Sequence, residues 1–94
     1  MRKVFLNVSG KVQGVGFRWT TKKLADQLGV SGEVWNEGDG SVSIVAMGED
    51  DQIEAFIEGV RRSPSPLGKV DELLVKESLE EVEIGTFKVV YKGV

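Results

Sequence analysis

The chain has 94 residues, contains neither cysteine nor histidine, and carries a formal net charge of −3 at pH 7. This length suits one domain, residues 1–94, with a single hydrophobic core. The missing residue types exclude disulfides, a thiolate nucleophile, an imidazole base and a zinc site built from Cys and His. Any chemistry must therefore come from the other polar side chains and from backbone amides.

The charge is distributed unevenly along the chain. Residues 1–25 hold six basic side chains and no acidic one, whereas the rest holds six basic and fifteen acidic side chains. A basic segment on an acidic body attracts small anions and repels polyanions. No apolar run approaches the ~20 residues that a membrane helix requires, and the N-terminus lacks the pattern of a secretory signal. We therefore expect a cytoplasmic protein without membrane or nucleic-acid partners.

The first third of the chain predicts a strand followed by a helix. Apolar and more polar residues alternate over residues 4–8, which is the pattern of a strand. Apolar residues at helical spacing over residues 17–28 predict a helix, and Gly29 is placed to end it.

The next segment predicts a hairpin. Strands at residues 30–36 and 41–47 flank an Asp-Gly pair at residues 39–40, which is typical of a hairpin turn. In a regular strand, Trp35 and Asn36 then point to opposite faces of the sheet.

The second helix is predicted to begin in the acidic segment at residues 48–51, since acidic side chains suit a helix N-terminus. Its apolar stripe consists of Ile53, Phe56, Ile57 and Val60, and Ser-Pro-Ser-Pro at residues 63–66 ends it.

Two further strands are predicted at residues 70–76 and 86–92, joined by a solvated acidic connection at residues 77–83. The order is therefore strand, helix, strand, strand, helix, strand, with one further strand. This order predicts an α+β fold, a ferredoxin-like βαββαβ sandwich. Two helices pack on one face of an antiparallel sheet, with an extra C-terminal strand.

The segment Gly-Lys-Val-Gln-Gly-Val-Gly-Phe-Arg, residues 10–18, lies between the first predicted strand and the first predicted helix. Glycines allow successive backbone N–H groups to point at one place, and the helix N-terminus adds the positive end of its dipole. Arg18 can complete such a cradle with charge-assisted hydrogen bonds. The pattern predicts a site for a small tetrahedral anion. The alternative is a tight turn followed by a solvated Arg18.

Two ordered motifs resemble a known family. Residues 8–18, Val-Ser-Gly-Lys-Val-Gln-Gly-Val-Gly-Phe-Arg, resemble the first signature of the acylphosphatase family. Residues 32–36 (Gly-x-Val-x-Asn) and 39–42 (Asp-Gly-x-Val) resemble the second signature, at the spacing of that family. The resemblance covers essentially the whole chain.

This resemblance implies hydrolysis of a small acyl phosphate to a carboxylate and inorganic phosphate, which is then a product or inhibitor. It implies no metal, no cofactor and no phosphoenzyme. Asn36 holds the attacking water, and the Arg18 guanidinium acts with the backbone N–H groups of the turn. The phosphate-binding residues are then Gln13, Gly14, Val15, Gly16, Phe17 and Arg18. We expect the chain to act as a monomer.

One position departs from the pattern of the resemblance. Glu33 stands where family members often carry an aromatic residue, and Trp35 follows two positions later. We therefore expect a local change in packing and in the shape of the acyl side of the pocket.

The chemistry agrees with the few functional groups available. Phosphoryl transfer through a loose transition state needs positioning and charge stabilisation more than covalent help. A carboxylate leaving group, whose acid has a pKa of about 4–5, departs unprotonated, so a general acid is dispensable. Asn36 can orient a water but cannot act as a base, so we expect the proton of the water to pass to a phosphate oxygen of the substrate.

Two other functions remain open from the residues alone. A non-catalytic anion-binding module would use Arg18 but would have no need of Asn36. A single-stranded RNA binder could use the same fold, but a pI of about 4.9 and the lack of a basic, aromatic signature argue against it.

Overall fold

The computed structural model describes residues 1–79 and 83–92. The elements follow the predicted order, and residues 80–82 of the predicted acidic connection lie outside the described residues. In chain order the elements are β1 (Arg2–Lys11), α1 (Phe17–Leu28), β2 (Ser31–Asn36), β3 (Val42–Gly48), α2 (Asp50–Arg61), β4 (Lys69–Glu77) and β5 (Phe87–Val89). The predicted ferredoxin-like βαββαβ architecture with an additional C-terminal strand is confirmed.

The five strands form one sheet in the order β4-β1-β3-β2-β5. The pairs β1–β3, β1–β4 and β2–β3 are antiparallel, as predicted. The short β5 instead pairs parallel to β2, so the sheet is mixed. β4 and β5 lie at opposite edges of the sheet, so β5 does not pair with the strand that precedes it in the chain and is not part of a tight antiparallel hairpin.

Both helices bury their apolar sides against one face of this sheet. Val4, Leu6 and Val8 of β1 are fully buried and alternate with half-buried residues. The predicted stripe of α2 is buried as well. The side of α1 that faces the sheet includes Thr21, whose hydroxyl oxygen is buried and has no hydrogen-bond partner among the described residues. Val12, just after β1, and Phe17, the first residue of α1, are buried in the same core, which holds the N-terminal end of α1 close to the end of β1.

The predicted helix boundaries of α1 agree with the structure. Gly29 has a φ of 76° and its backbone N–H bonds back to the carbonyls of Ala25 and Asp26, which ends the helix. No helix within the described part of the chain is long and apolar enough to cross a membrane.

Candidate active site

The turn between β1 and α1 is shaped by two glycines in the left-handed region. Gly14 has a φ of 77° and Gly16 has a φ of 76°. A Cβ added at either position would meet no atom within 4 Å. Because space is available, the backbone conformation is what favours glycine at both positions.

The N-terminus of α1 is left open. Gly16 offers no capping side chain, and the first turn contains no acidic residue. Among the described residues, the backbone N–H groups of residues 14–18 form no hydrogen bond to a backbone carbonyl outside α1. Unsatisfied N–H groups at the positive end of a helix dipole favour an anion.

A cavity of about 200 Å³ opens at this turn, and Gly14, Gly16 and Arg18 line it. No acidic side chain is among its lining residues. Arg18 forms no ion pair with any residue in the described ranges, and its Cζ lies 5.1 Å from the centroid of the Tyr91 ring. The guanidinium charge is therefore not neutralised by a carboxylate and can act on an anion in the cavity.

Two aromatic residues that the sequence interpretation did not assign to the site also line this cavity. Trp19 is 62% exposed and Tyr91 is 84% exposed, so both rings stand at the cavity mouth. Trp19 directly follows Arg18 in the sequence, and this adjacency could have indicated that Trp19 lines the same cavity. Tyr91 was predicted within the last strand, but β5 ends at Val89.

The two residues at the departure from the family pattern, Glu33 and Trp35, are not among the lining residues of this cavity. The Trp35 indole donates to the Glu37 carboxylate at 3.1 Å, and its ring lies 3.9 Å from the Lys92 Nζ. Glu33 forms an ion pair with the same lysine at 3.1 Å. The aromatic surface beside the cradle therefore comes from other residues.

Asn36 is the last residue of β2 and pairs with the buried Val42 of β3. Its Oδ1 is buried and has no hydrogen-bond partner among the described residues. A buried acceptor left without a donor is costly, and a role at a functional site is one explanation for it. Asn36 is not among the lining residues of the Arg18 cavity.

The side chain of Gln13 joins the turn to the β2–β3 hairpin. Its Nε2 donates to the carbonyl oxygen of Glu37 at 2.9 Å and to that of Ser41 at 2.8 Å. A second link comes from Ser65, whose hydroxyl donates to the carbonyl of Val15 at 2.6 Å. The turn is therefore held from two sides, by the hairpin and by the segment that follows α2.

The acidic residues nearest Asn36 in sequence are engaged within the hairpin. The Glu37 carboxylate accepts hydrogen bonds from Trp35 and from the Ser43 hydroxyl. The Asp39 carboxylate accepts from the hydroxyl and the backbone N–H of Ser41, and these bonds lower the pKa of Asp39. Among residues 1–79 and 83–92, no three acidic side chains form a group that could hold a metal ion.

Comparisons with known proteins agree with this geometry. The model of the acylphosphatase family matches residues 4–89. An acylphosphatase of Enterococcus faecalis is 53% identical over 92 residues, which are 96% of this chain and 99% of the relative. The crystal structure of acylphosphatase from Bacillus subtilis superposes with a TM-score of 0.89 at 37% identity, covering 97% of this chain and 100% of that one. With the fold, the open helix N-terminus and near full-length similarity in agreement, this chain belongs to the acylphosphatase family and is a hydrolase that acts on acyl phosphates.

Proposed function

We propose that this chain hydrolyses acyl phosphates by attack of a water on phosphorus, with Arg18 and the backbone N–H groups of residues 13–18 holding the phosphoryl group. Asn36 orients the water. One observation carries this assignment beyond anion binding: Asn36 is only half-buried at the end of β2, and its Oδ1 accepts no hydrogen bond from the described residues, so the fold does not engage this acceptor.

The binding half of the proposal rests on the α1 N-terminus. Its backbone donors are uncapped, and the Arg18 guanidinium has no carboxylate partner in the described residues. These groups are held by the fold before the substrate arrives. They can therefore stabilise the charge on the equatorial oxygens of the transition state without reorganising.

The catalytic part of the proposal is the attack of one water on phosphorus. The water oxygen forms a bond to phosphorus while the bond between phosphorus and the acyl oxygen breaks, and the electron pair leaves with the carboxylate. The proton of the water passes to a phosphoryl oxygen, so the products are the carboxylate and inorganic phosphate. No side chain needs to act as a base, which agrees with the engagement of Glu37 and Asp39 within the hairpin.

The acyl group has space next to the cradle. Trp19 and Tyr91 stand at the mouth of the cavity that Arg18 lines, and their rings offer an apolar surface beside the phosphoryl site. All these groups belong to one chain, so a single chain can form the whole site, and we propose that it works as a monomer.

The test is an assay with benzoyl phosphate and acetyl phosphate in the presence of EDTA. We expect turnover by the unmodified chain, and we expect hydrolysis in ¹⁸O-labelled water to place the label in the phosphate. Label in the carboxylate would mean attack on the acyl carbon, and dependence on a metal would contradict the proposal as well.

The role of Asn36 separates catalysis from simple binding. In Asn36→Ala we expect kcat to fall by about 10² or more, as for loss of an oriented hydrogen-bonding group, while inorganic phosphate still binds. Calorimetric titration with phosphate measures the binding. Unchanged kcat in this variant would leave Asn36 without a part in the reaction.

A further inference from the structure

We infer that the side chain of Gln13 is a positioning residue, which fixes the strand that carries Asn36 relative to the phosphate cradle. The inference rests on the proposed function, because it concerns the placement of the water against the phosphoryl group. Gln13 itself belongs to the turn, and it is otherwise expected to contribute only its backbone N–H.

The carboxamide of Gln13 uses both of its hydrogens on the hairpin. Nε2 has two hydrogens to donate, and it lies 2.9 Å from the Glu37 carbonyl and 2.8 Å from the Ser41 carbonyl. With both donors used, this NH₂ group has none left for a phosphoryl oxygen. The side chain therefore acts on the hairpin and not on the substrate.

The two acceptors lie where they control Asn36. Glu37 directly follows Asn36, which is the last residue of β2. The carbonyl of Ser41 also accepts the backbone N–H of Glu37 at 2.9 Å, so Gln13 binds the hairpin at the point where the loop closes. A displacement of this end of β2 moves the Asn36 carboxamide, and misplacement by about 1 Å can cost about 10²-fold in rate.

The structure offers a matched control on the opposite face of the sheet. The Asn7 carboxamide also donates twice to this region, to the Ser41 and Ser43 hydroxyls at 3.0 Å each. Asn7 lies within β1, between the buried Leu6 and Val8, so it faces away from the helices and does not contact the cradle. Its loss removes the same number of hydrogen bonds from the β2–β3 hairpin without separating the cradle from Asn36.

The experiment compares Gln13→Met with Asn7→Leu, each of similar size to the original residue and without donors. We expect Gln13→Met to lower kcat about 10- to 100-fold, while the inhibition constant of inorganic phosphate changes less than about threefold. Asn7→Leu should keep kcat within about twofold. In ¹H–¹⁵N spectra, the side-chain amide signals of Asn36 should shift in the Gln13 variant and keep their positions in the Asn7 variant.

Three results of this comparison would overturn the inference: kcat of Gln13→Met within twofold of the unmodified chain, phosphate inhibition weakened as much as kcat, or an equal loss of kcat in Asn7→Leu.

If Gln13→Met does not fold, Gln13→Glu replaces it. A carboxylate cannot donate and its protonated form has one O–H for the two carbonyls, so kcat should be low at neutral pH and recover only in part on acidification. A flat profile at the unmodified rate would also overturn the inference. Absence of turnover in the unmodified chain would instead refute the proposed function, and the Asn36 amide signals would still test the link.

Discussion

The N-termini of the two helices have opposite designs. At α2, the Gln52 carboxamide oxygen accepts the backbone N–H of Glu49 at 2.8 Å, and the Asp51 carboxylate accepts the N–H of Gln52 at 2.9 Å. Asp50 adds a second negative charge to this first turn. At α1, Gly16 in the left-handed region provides no side chain, and no acid lies in the first turn.

This difference shows where the chain uses its own side chains to satisfy main-chain donors and where it does not. Carboxylates and carboxamides close the α2 terminus, and Asp39 does the same for the hairpin by accepting two hydrogen bonds from Ser41. These contacts stabilise the fold. The open terminus of α1 forgoes that stabilisation, and its donors remain free for a substrate anion.

Removing the charge at the open terminus should have the largest effect. We expect Arg18→Ala to lower kcat/KM by about 10²–10³ or more, because a fixed donor to the developing charge is lost. Phosphate affinity should fall as well, while the free energy of unfolding changes little, since Arg18 has no ion-pair partner in the described residues. Steady-state kinetics and chemical denaturation measure both. Unchanged kinetics would remove Arg18 from the site.

An acidic residue introduced at the N-terminus of α1 should occupy its free N–H groups, as acidic side chains do at the N-terminus of α2. Gly16→Asp places a carboxylate beside the uncapped donors, and we expect phosphate affinity to fall at least about tenfold relative to Gly16→Asn. Both variants place a short polar side chain of similar size at the same positive φ, which Asn and Asp tolerate better than other residues with a side chain, so their difference isolates the charge. Calorimetry with phosphate gives the affinities. Equal affinities would show that the anion binds elsewhere.

Opening the closed terminus should affect stability alone. We expect Gln52→Ala to lower the free energy of unfolding by about 0.5–2 kcal/mol, because the Glu49 N–H loses its acceptor. Gln52→Glu retains a carboxyl oxygen at this position and serves as the control. Denaturation curves measure stability, and kcat should stay within about twofold. A loss of activity without a loss of stability would contradict the comparison.

Asp39 should give the smallest effect, confined to low pH. Hydrogen bonds from Ser41 lower the pKa of Asp39 in the folded protein, so the carboxylate stabilises the fold above its unfolded pKa of about 3.9. This contribution disappears as the pH falls from there through the lower folded value. Asp39→Asn should therefore lose less stability than the unmodified chain over that range, with turnover at pH 7 nearly unchanged. A collapse of turnover would contradict the transfer of the water's proton to a phosphoryl oxygen of the substrate.

Local patterns were sufficient for most of the fold. The apolar spacing and Gly29 predicted α1 with its observed ends, and the Asp-Gly pair at residues 39–40 predicted the hairpin between β2 and β3. The last strand was predicted at residues 86–92 but spans Phe87–Val89 and pairs parallel to β2. Alternation along a segment does not reveal its pairing partner, and the partner determines where a short edge strand ends.

The backbone of the turn at residues 14–18 was predictable because its residues are adjacent in the sequence. The glycines and Arg18 lie in one segment, and the structure shows the expected backbone angles there. The links of Gln13 to Glu37 and Ser41 join residues separated by 24 and 28 positions, and the Arg18–Tyr91 contact spans most of the chain. No periodicity encodes such contacts, because they arise from the packing of separate elements.

The most direct test compares the two helix termini in one titration. Inorganic phosphate is added in EDTA, and the backbone amide signals of the unmodified chain are followed in ¹H–¹⁵N spectra. We predict saturable shifts at residues 14–18 and none at residues 50–53, at the start of α2. Shifts absent from residues 14–18, or equal at both termini, would contradict the assignment of the phosphate site to the open end of α1.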